Sequence, residues 1–266
     1  MTSVAAPLPL PTRRSLQHAF DVLAVLVARD LKLLYKRSSL GFGWALVTPL
    51  LQVCIFVLVF RRVLGAPIEN YASFVFTGVL VWGWFHASVG QSTSLITSNR
   101  ALVRQPGFPL SLLPLVTVAV RLFHFSLALP FLFGLLWFQG IRPTLSWSCL
   151  PLLVLVQFIL TAAFAYPLAA LNVRLRDTHH VTTVLLQLAM YLTPIFYSLD
   201  SVPPALSQWL QLNPIVVLLD GWRDVIMRGL WPDTSRLVIV ALMSSVALIV
   251  GQRIFVQHSR RFVEEL

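Results

Sequence analysis

Apolar and charged positions in this chain separate on a scale of about twenty residues. Charge-free apolar windows fall at about 40–60, 72–96, 115–139, 150–171, 181–197 and 237–256. Each approaches the ~20 apolar residues that an α-helix needs to cross a bilayer core, so the pattern predicts six membrane-spanning helices. Turn-forming residues punctuate them: Gly65-Ala66-Pro67, Gln105-Pro106-Gly107, Gly140-Ile141-Arg142-Pro143 and a polar loop over 172–180. Pro194 removes one backbone donor from the fifth window and predicts a bend near its outer end.

Two stretches break this rhythm. Over 16–38, Leu16, Phe20, Leu23, Leu26, Val27, Leu31 and Leu34 fall on one helical face. Arg29, Lys32 and Lys36 fall opposite, beside His18 and Asp21. Such a helix is expected to lie along an anionic membrane surface, apolar side down. The second stretch lies between the fifth and sixth windows. Pro203-Pro204 suits the first turn of a short helix, Asn213-Pro214 caps and starts another, and Gly229 stops it. Neither helix is long enough to span, and both carry apolar faces, so a re-entrant helical hairpin is expected. The fold class is therefore all-α integral membrane. Its segments are a disordered cytoplasmic leader (1–15), an interfacial helix (16–38), a transmembrane domain (39–256) and a cytoplasmic tail (257–266).

Composition adds the solvent: 57% of the residues are hydrophobic and 11% charged, so most of the chain is dissolved in lipid and a soluble protein is excluded. The net charge of +10 then reads as topology rather than as affinity for nucleic acid. With the N-terminus inside, thirteen Lys and Arg fall on the inner side and six on the outer. That places both termini in the cytoplasm and the hairpin outside.

Candidate chemistry is sparse. Cys54 and Cys149 lack metal-ligand spacing, and no metal site is read. The only lysines are Lys32 and Lys36, and no Gly-rich phosphate loop accompanies them, so this chain does not hydrolyse ATP. A membrane-embedded transferase, the alternative of another class, would draw on Asp200, Asp220, Asp224 and Asp233. Asp224 adjoins Arg223, which reads as a structural ion pair. Gln52, Gln91, Gln157 and Gln187 read as interhelical hydrogen-bond partners. Asp30 and Arg37 share the edge of the amphipathic helix and could pair with each other or with the Arg100/Arg104 elbow. Arg121 lies a few residues inside the third window, where a charge either snorkels to the headgroups or serves a polar pathway.

Four ordered motifs carry a resemblance. They are R-D-L-K-x-x-Y-K-x-S-x-L-G-x-x-W-x-x-x-x-P-L at 29–50, N-V-R-x-R-D at 172–177, L-T-P-I-F-Y at 192–197, and L-N-P at 212–214 followed by R-D at 223–224. Together they resemble the permease subunit of type 2 ABC exporters that move lipid-linked polysaccharides such as O-antigen, capsule and teichoic acid. The resemblance implies a homodimer in the bacterial inner membrane, served by two copies of a separate ATPase subunit that binds ATP and Mg, with no cofactor in this chain. It implies an undecaprenyl-pyrophosphate-linked polysaccharide as substrate, with export of a drug or small lipid as the alternative. Carried over by position, Arg100, Ala101, Leu102, Val103, Arg104 and Gln105 couple to the ATPase, and Arg29, Lys32, Lys36 and Arg37 flank the lipid-pyrophosphate entrance. Pro203, Pro204, Trp209, Asn213, Pro214 and Arg223 form a periplasmic gate. Phe56, Phe60, Tyr191, Phe196 and Tyr197 are aromatics that either line a sugar channel or sit in the interfacial belt. Arg121 receives no role from the resemblance.

Overall fold

A computed structural model describes residues 13–36, 43–59, 68–259 and 261–265. The leader over 1–12, Arg37, Phe60 and the turn at Gly65-Ala66-Pro67 lie outside the described residues. Every regular element among the described residues is helical: α1 (Arg13–Tyr35), α2 (Trp44–Phe56), α3 (Tyr71–Thr93), α4 (Leu95–Ser98), α5 (Arg100–Val103), α6 (Leu113–Phe138), α7 (Leu150–Arg174), α8 (Thr178–Leu192), α9 (Pro204–Leu210), α10 (Pro214–Arg223), α11 (Thr234–Ser259) and α12 (Phe262–Glu265).

Among the described residues, four stretches are long and apolar enough to cross a membrane: Tyr71–Thr93, Leu110–Phe138, Leu145–Arg174 and Thr234–Ser259. Helix α3 is their hub. It has no polar stripe and is buried on nearly every side, as expected of a helix surrounded by others. Its neighbours α6, α7, α8 and α10 form the main apolar core around it. The buried Gln157 side chain ties three of these helices together. Its Nε2 donates to Val81 O on α3 at 2.8 Å, and its Oε1 accepts from Trp222 Nε1 at the end of α10 at 3.1 Å.

The first and fifth windows form shorter helices. Helix α2 has 13 residues and passes into a π-helical turn over 57–59. Helix α8 has 15 residues, about 22 Å at 1.5 Å per residue, which falls short of a ~30 Å hydrocarbon core. It ends at Leu192 instead of bending and continuing to Tyr197. Thr193, the residue before Pro194, is extended at φ −93°, ψ 133°, the conformation that a following proline imposes.

The apolar face of α1 does not simply face outward. Leu26 is buried against Val116 and Val120 of α6, with Val22, Leu23, Val27 and Leu31 beside it, while Phe20 and Leu34 stay exposed. The two short helices of the expected hairpin also differ. Ile215, Val216, Leu218 and Leu219 of α10 are core residues, whereas Leu206 and Trp209 of α9 are exposed.

Candidate functional site

The candidate residues fall into three regions. The first is the break after α8. Residues 193–196 are buried, and ending a helix in the protein interior strands carbonyls with no water to bind them, at a cost of about 1–3 kcal/mol each. Arg223 supplies the missing donors. Its Nη1 donates to Pro194 O at 2.7 Å, and its Nη2 to Ile195 O at 3.0 Å and Phe74 O at 3.3 Å. The guanidinium lies 3.4 Å from the centroid of the Phe74 ring, close enough for a cation–π contact. Tyr71 takes the next carbonyl, its hydroxyl donating to Phe196 O at 2.9 Å. Gly78 makes room for this: a Cβ there would stand 3.2 Å from Arg223 Nη2 and 3.0 Å from Ile195 Cγ2. The L-T-P-I-F-Y and R-D motifs are thus two halves of one joint between α8, α10 and α3.

Arg223 is therefore 2% exposed and points inward, away from Asp224. The expected ion pair with Asp224 is replaced by Arg228–Asp224 at 2.7 Å, one turn along the same helix. Its place in the interior follows from spacing: Arg223 lies eight, seven and four residues after the buried Ile215, Val216 and Leu219, on their face of α10. Two cavities, of about 300 and 620 Å³, flank Arg223 and share Phe74, Ser198, Asp200 and Arg228. Asp220 lines the smaller one, and its burial pushes its carboxyl up to about 6 against the pull of Arg223. The other gate candidates are local builders. Pro204 opens α9, and Asn213 Oδ1 accepts from Ile215 N at 3.0 Å to cap α10 ahead of Pro214. Pro203 precedes α9, and Trp209 is 73% exposed.

The second region is the elbow between α3 and α6. Arg100, Ala101, Arg104 and Gln105 are exposed, Leu102 is half-buried, and Val103 is buried. Val103 sits in a second apolar cluster with Ile96, Tyr166, Val173, Phe255 and Phe262. Tyr166 Oη donates to Ser111 O at 2.7 Å, fixing the elbow's exit to α7. The elbow is thus an exposed basic patch on a rigid footing made by α7, α11 and α12.

The third region is the end of α1. Lys32 and Lys36 are exposed, and Arg29 donates to the adjacent Asp30 at 2.9 and 2.7 Å. The aromatic candidates scatter. Phe56 and Phe196 pack on each other with ring centroids 4.3 Å apart, which puts Phe196 in the core. Tyr197 is half-buried, and Tyr191 is 65% exposed on α8. Arg121 donates from Nε to Gln91 Oε1 at 2.9 Å, a link between α6 and α3. Of the apolar windows' glutamines, Gln91 and Gln157 thus bridge helices.

A family model for ABC-2 type transporters matches residues 21–227, from α1 through the turn that follows α10. The chain belongs to the ABC-2 type transporter family. Among ABC-2 relatives, the O-antigen export system permease protein RfbA of Myxococcus xanthus is 36% identical over 255 residues, covering 95% of this chain and 98% of that protein. RfbA of Klebsiella pneumoniae is 31% identical over 258 residues, covering 97% and 99%. The polysialic acid transport protein KpsM of Escherichia coli is 20% identical over 241 residues, covering 86% and 90%. As an ABC-2 chain with four long apolar helices, this is a multi-pass membrane protein.

Proposed function

We propose that this chain is the membrane subunit of an ABC exporter that moves a lipid-linked O-antigen, or a related surface polysaccharide, across the bacterial inner membrane. The observation that carries the reading is similarity of 31–36% along nearly the whole chain to permeases of O-antigen export. Two copies of the chain form the path, and two copies of a separate ATPase subunit bind ATP and Mg. In this reading α2 and α8 complete a six-span topology with both termini cytoplasmic. Helix α1 lies at the inner headgroup level, where Lys32 and Lys36 meet the carrier pyrophosphate, a use suited to exposed ammonium groups beside anionic lipid. The α9–α10 pair forms the outer gate.

The elbow passes the ATPase motion to the spans. The exposed Arg100 and Arg104 on the buried footing of Val103 support this: the contact is polar, while the connection to α7 and α11 is apolar and close-packed. The test is co-purification with the ATPase encoded alongside, followed by hydrolysis assays with and without lipid-linked glycan. Wild type is expected to respond to the glycan. The Arg100→Glu/Arg104→Glu chain is expected to lose that response by tenfold or more, about 1.4 kcal/mol of coupling. Normal glycan-stimulated hydrolysis in the double variant would remove the elbow from the mechanism. Absence of any stimulation in wild type would remove the export reading.

A further inference from the structure

A third cavity, of about 390 Å³, lies away from the α8 joint, between α2, α3 and α6 and under the end of α1. Four polar side chains line it from two helices. Arg121 and His124 occupy successive turns of α6, and Thr48 and Gln52 successive turns of α2. No carboxylate is among its described lining residues. The Arg121–Gln91 hydrogen bond of 2.9 Å fixes where the guanidinium sits. Arg121 comes eight residues after the start of α6 at Leu113, about 12 Å along the axis from the elbow end. A cation held that deep in a spanning helix marks a site for a charged ligand.

The cavity is also polarised along the bundle. Helices α3 and α6 run antiparallel, so Ala87 and Arg121 lie toward the elbow end while Val79, Leu80 and Ala128 lie toward the other. On α3 and α6, one end offers a guanidinium and an imidazole, and the other the apolar Val79, Leu80 and Ala128. A free phosphate would use half of such a space, whereas an amphiphile with an anionic head and an apolar tail would use all of it. Gly83 lines the same wall, and a Cβ there would meet nothing within 4 Å, so α3 keeps the space open.

We propose that this cavity seats the phosphate end of the lipid that carries the exported glycan, with Arg121 and His124 as its anion-binding groups. The proposal rests on the export reading above. It places the headgroup beyond the α1 lysines, inside the protein, with the tail directed along Val79 and Ala128.

The test uses the full permease–ATPase complex in zwitterionic nanodiscs, with bound lipid counted by native mass spectrometry. The probes are undecaprenyl pyrophosphate, undecaprenol, phosphatidylglycerol and sodium pyrophosphate. Wild type is expected to hold undecaprenyl pyrophosphate about tenfold or more tighter than undecaprenol, without displacement by equimolar phosphatidylglycerol or sodium pyrophosphate. Arg121→Gln is expected to weaken that binding about tenfold or more. Gly83→Leu fills the open space while leaving every polar group in place, and should have a similar effect. Co-elution with the ATPase shows that each variant is folded. Wild-type binding in both folded variants would overturn the proposal. So would equal binding of undecaprenol, or displacement by phosphatidylglycerol, which would mark an ordinary lipid site. Glycan-stimulated hydrolysis by wild type, measured alongside, reports separately on export. Without it the export reading falls, whereas with it, wild-type binding in both variants removes only this site.

Discussion

Replacing Arg223 with methionine keeps most of the side-chain volume and removes every donor at the α8 joint. Two buried carbonyls, those of Pro194 and Ile195, then lose their partner, and Phe74 O, which keeps its own bond within α3, loses a second donor. Each unsatisfied buried acceptor costs about 1–3 kcal/mol. Part of that is offset because a guanidinium no longer has to be held out of water, a penalty of several kcal/mol by itself. The carbonyls outweigh it, since among the described residues no other donor reaches Pro194 O or Ile195 O, and a net loss of about 2–4 kcal/mol is expected. Arg223→Lys separates charge from geometry. One ammonium cannot reproduce the planar fork or its stacking on Phe74, so it should lose about 1–3 kcal/mol. Thermal unfolding in micelles gives the order wild type, lysine, methionine, and hydrogen exchange over 193–198 should rise in the same order. A methionine variant within about 1 kcal/mol of wild type, with unchanged exchange there, would refute the role of Arg223 in the joint.

Three further outcomes follow from neighbouring contacts. Gly78→Ala gains about 1 kcal/mol of helix propensity but drives a methyl group toward Arg223 Nη2 and Ile195, so unfolding should show a net loss of about 1–2 kcal/mol. Gln157→Leu leaves the buried Trp222 Nε1 without its partner and removes a second donor from Val81 O, and should lower stability by about 1–3 kcal/mol, read by the same unfolding assay. Asp220 is raised from 3.8 to about 6, so the folded state holds its proton more tightly than the unfolded chain. Its cost grows as pH rises through that interval and is complete above it. Asp220→Asn should accordingly stabilise the protein by up to about 3 kcal/mol at pH 8 and by nothing at pH 3.5, as unfolding at the two pH values will show.

Much of this arrangement was legible in the sequence because lipid imposes a long, simple code. The windows at 72–96, 115–139, 150–171 and 237–256 became Tyr71–Thr93, Leu113–Phe138, Leu150–Arg174 and Thr234–Ser259, shifted by a few residues at each end. The caps at Pro204 and Asn213 and the stop at Gly229, which adopts φ 67°, needed only local geometry. What composition could not say was whether Pro194 bends α8 or ends it. That choice depends on donors supplied 29 residues later in the chain, and a hydropathy window has no term for them. The inward Arg223 was nevertheless readable, because it falls on the apolar stripe of α10. Its adjacency to Asp224 pointed to a pair, whereas helix geometry sends neighbouring side chains apart and gives Asp224 to Arg228. The Arg121–Gln91 link joins residues 30 apart on different helices and left no periodic trace.

The buried guanidinium also decides which parts of this end of the bundle can move. With one side chain bonded to the N-terminal end of α3, the segment after α8 and, through its own backbone, α10, these three travel as a single lever. In the export reading proposed above, opening of the α9–α10 gate is taken up in the connections on either side, at 199–203 and 229–233, with α9 as the piece that swings. On that proposal, a cross-link engineered within the lever is expected to be mechanically silent, while one fastening α9 to α10 is expected to stop glycan export and leave ATP binding by the complex unchanged.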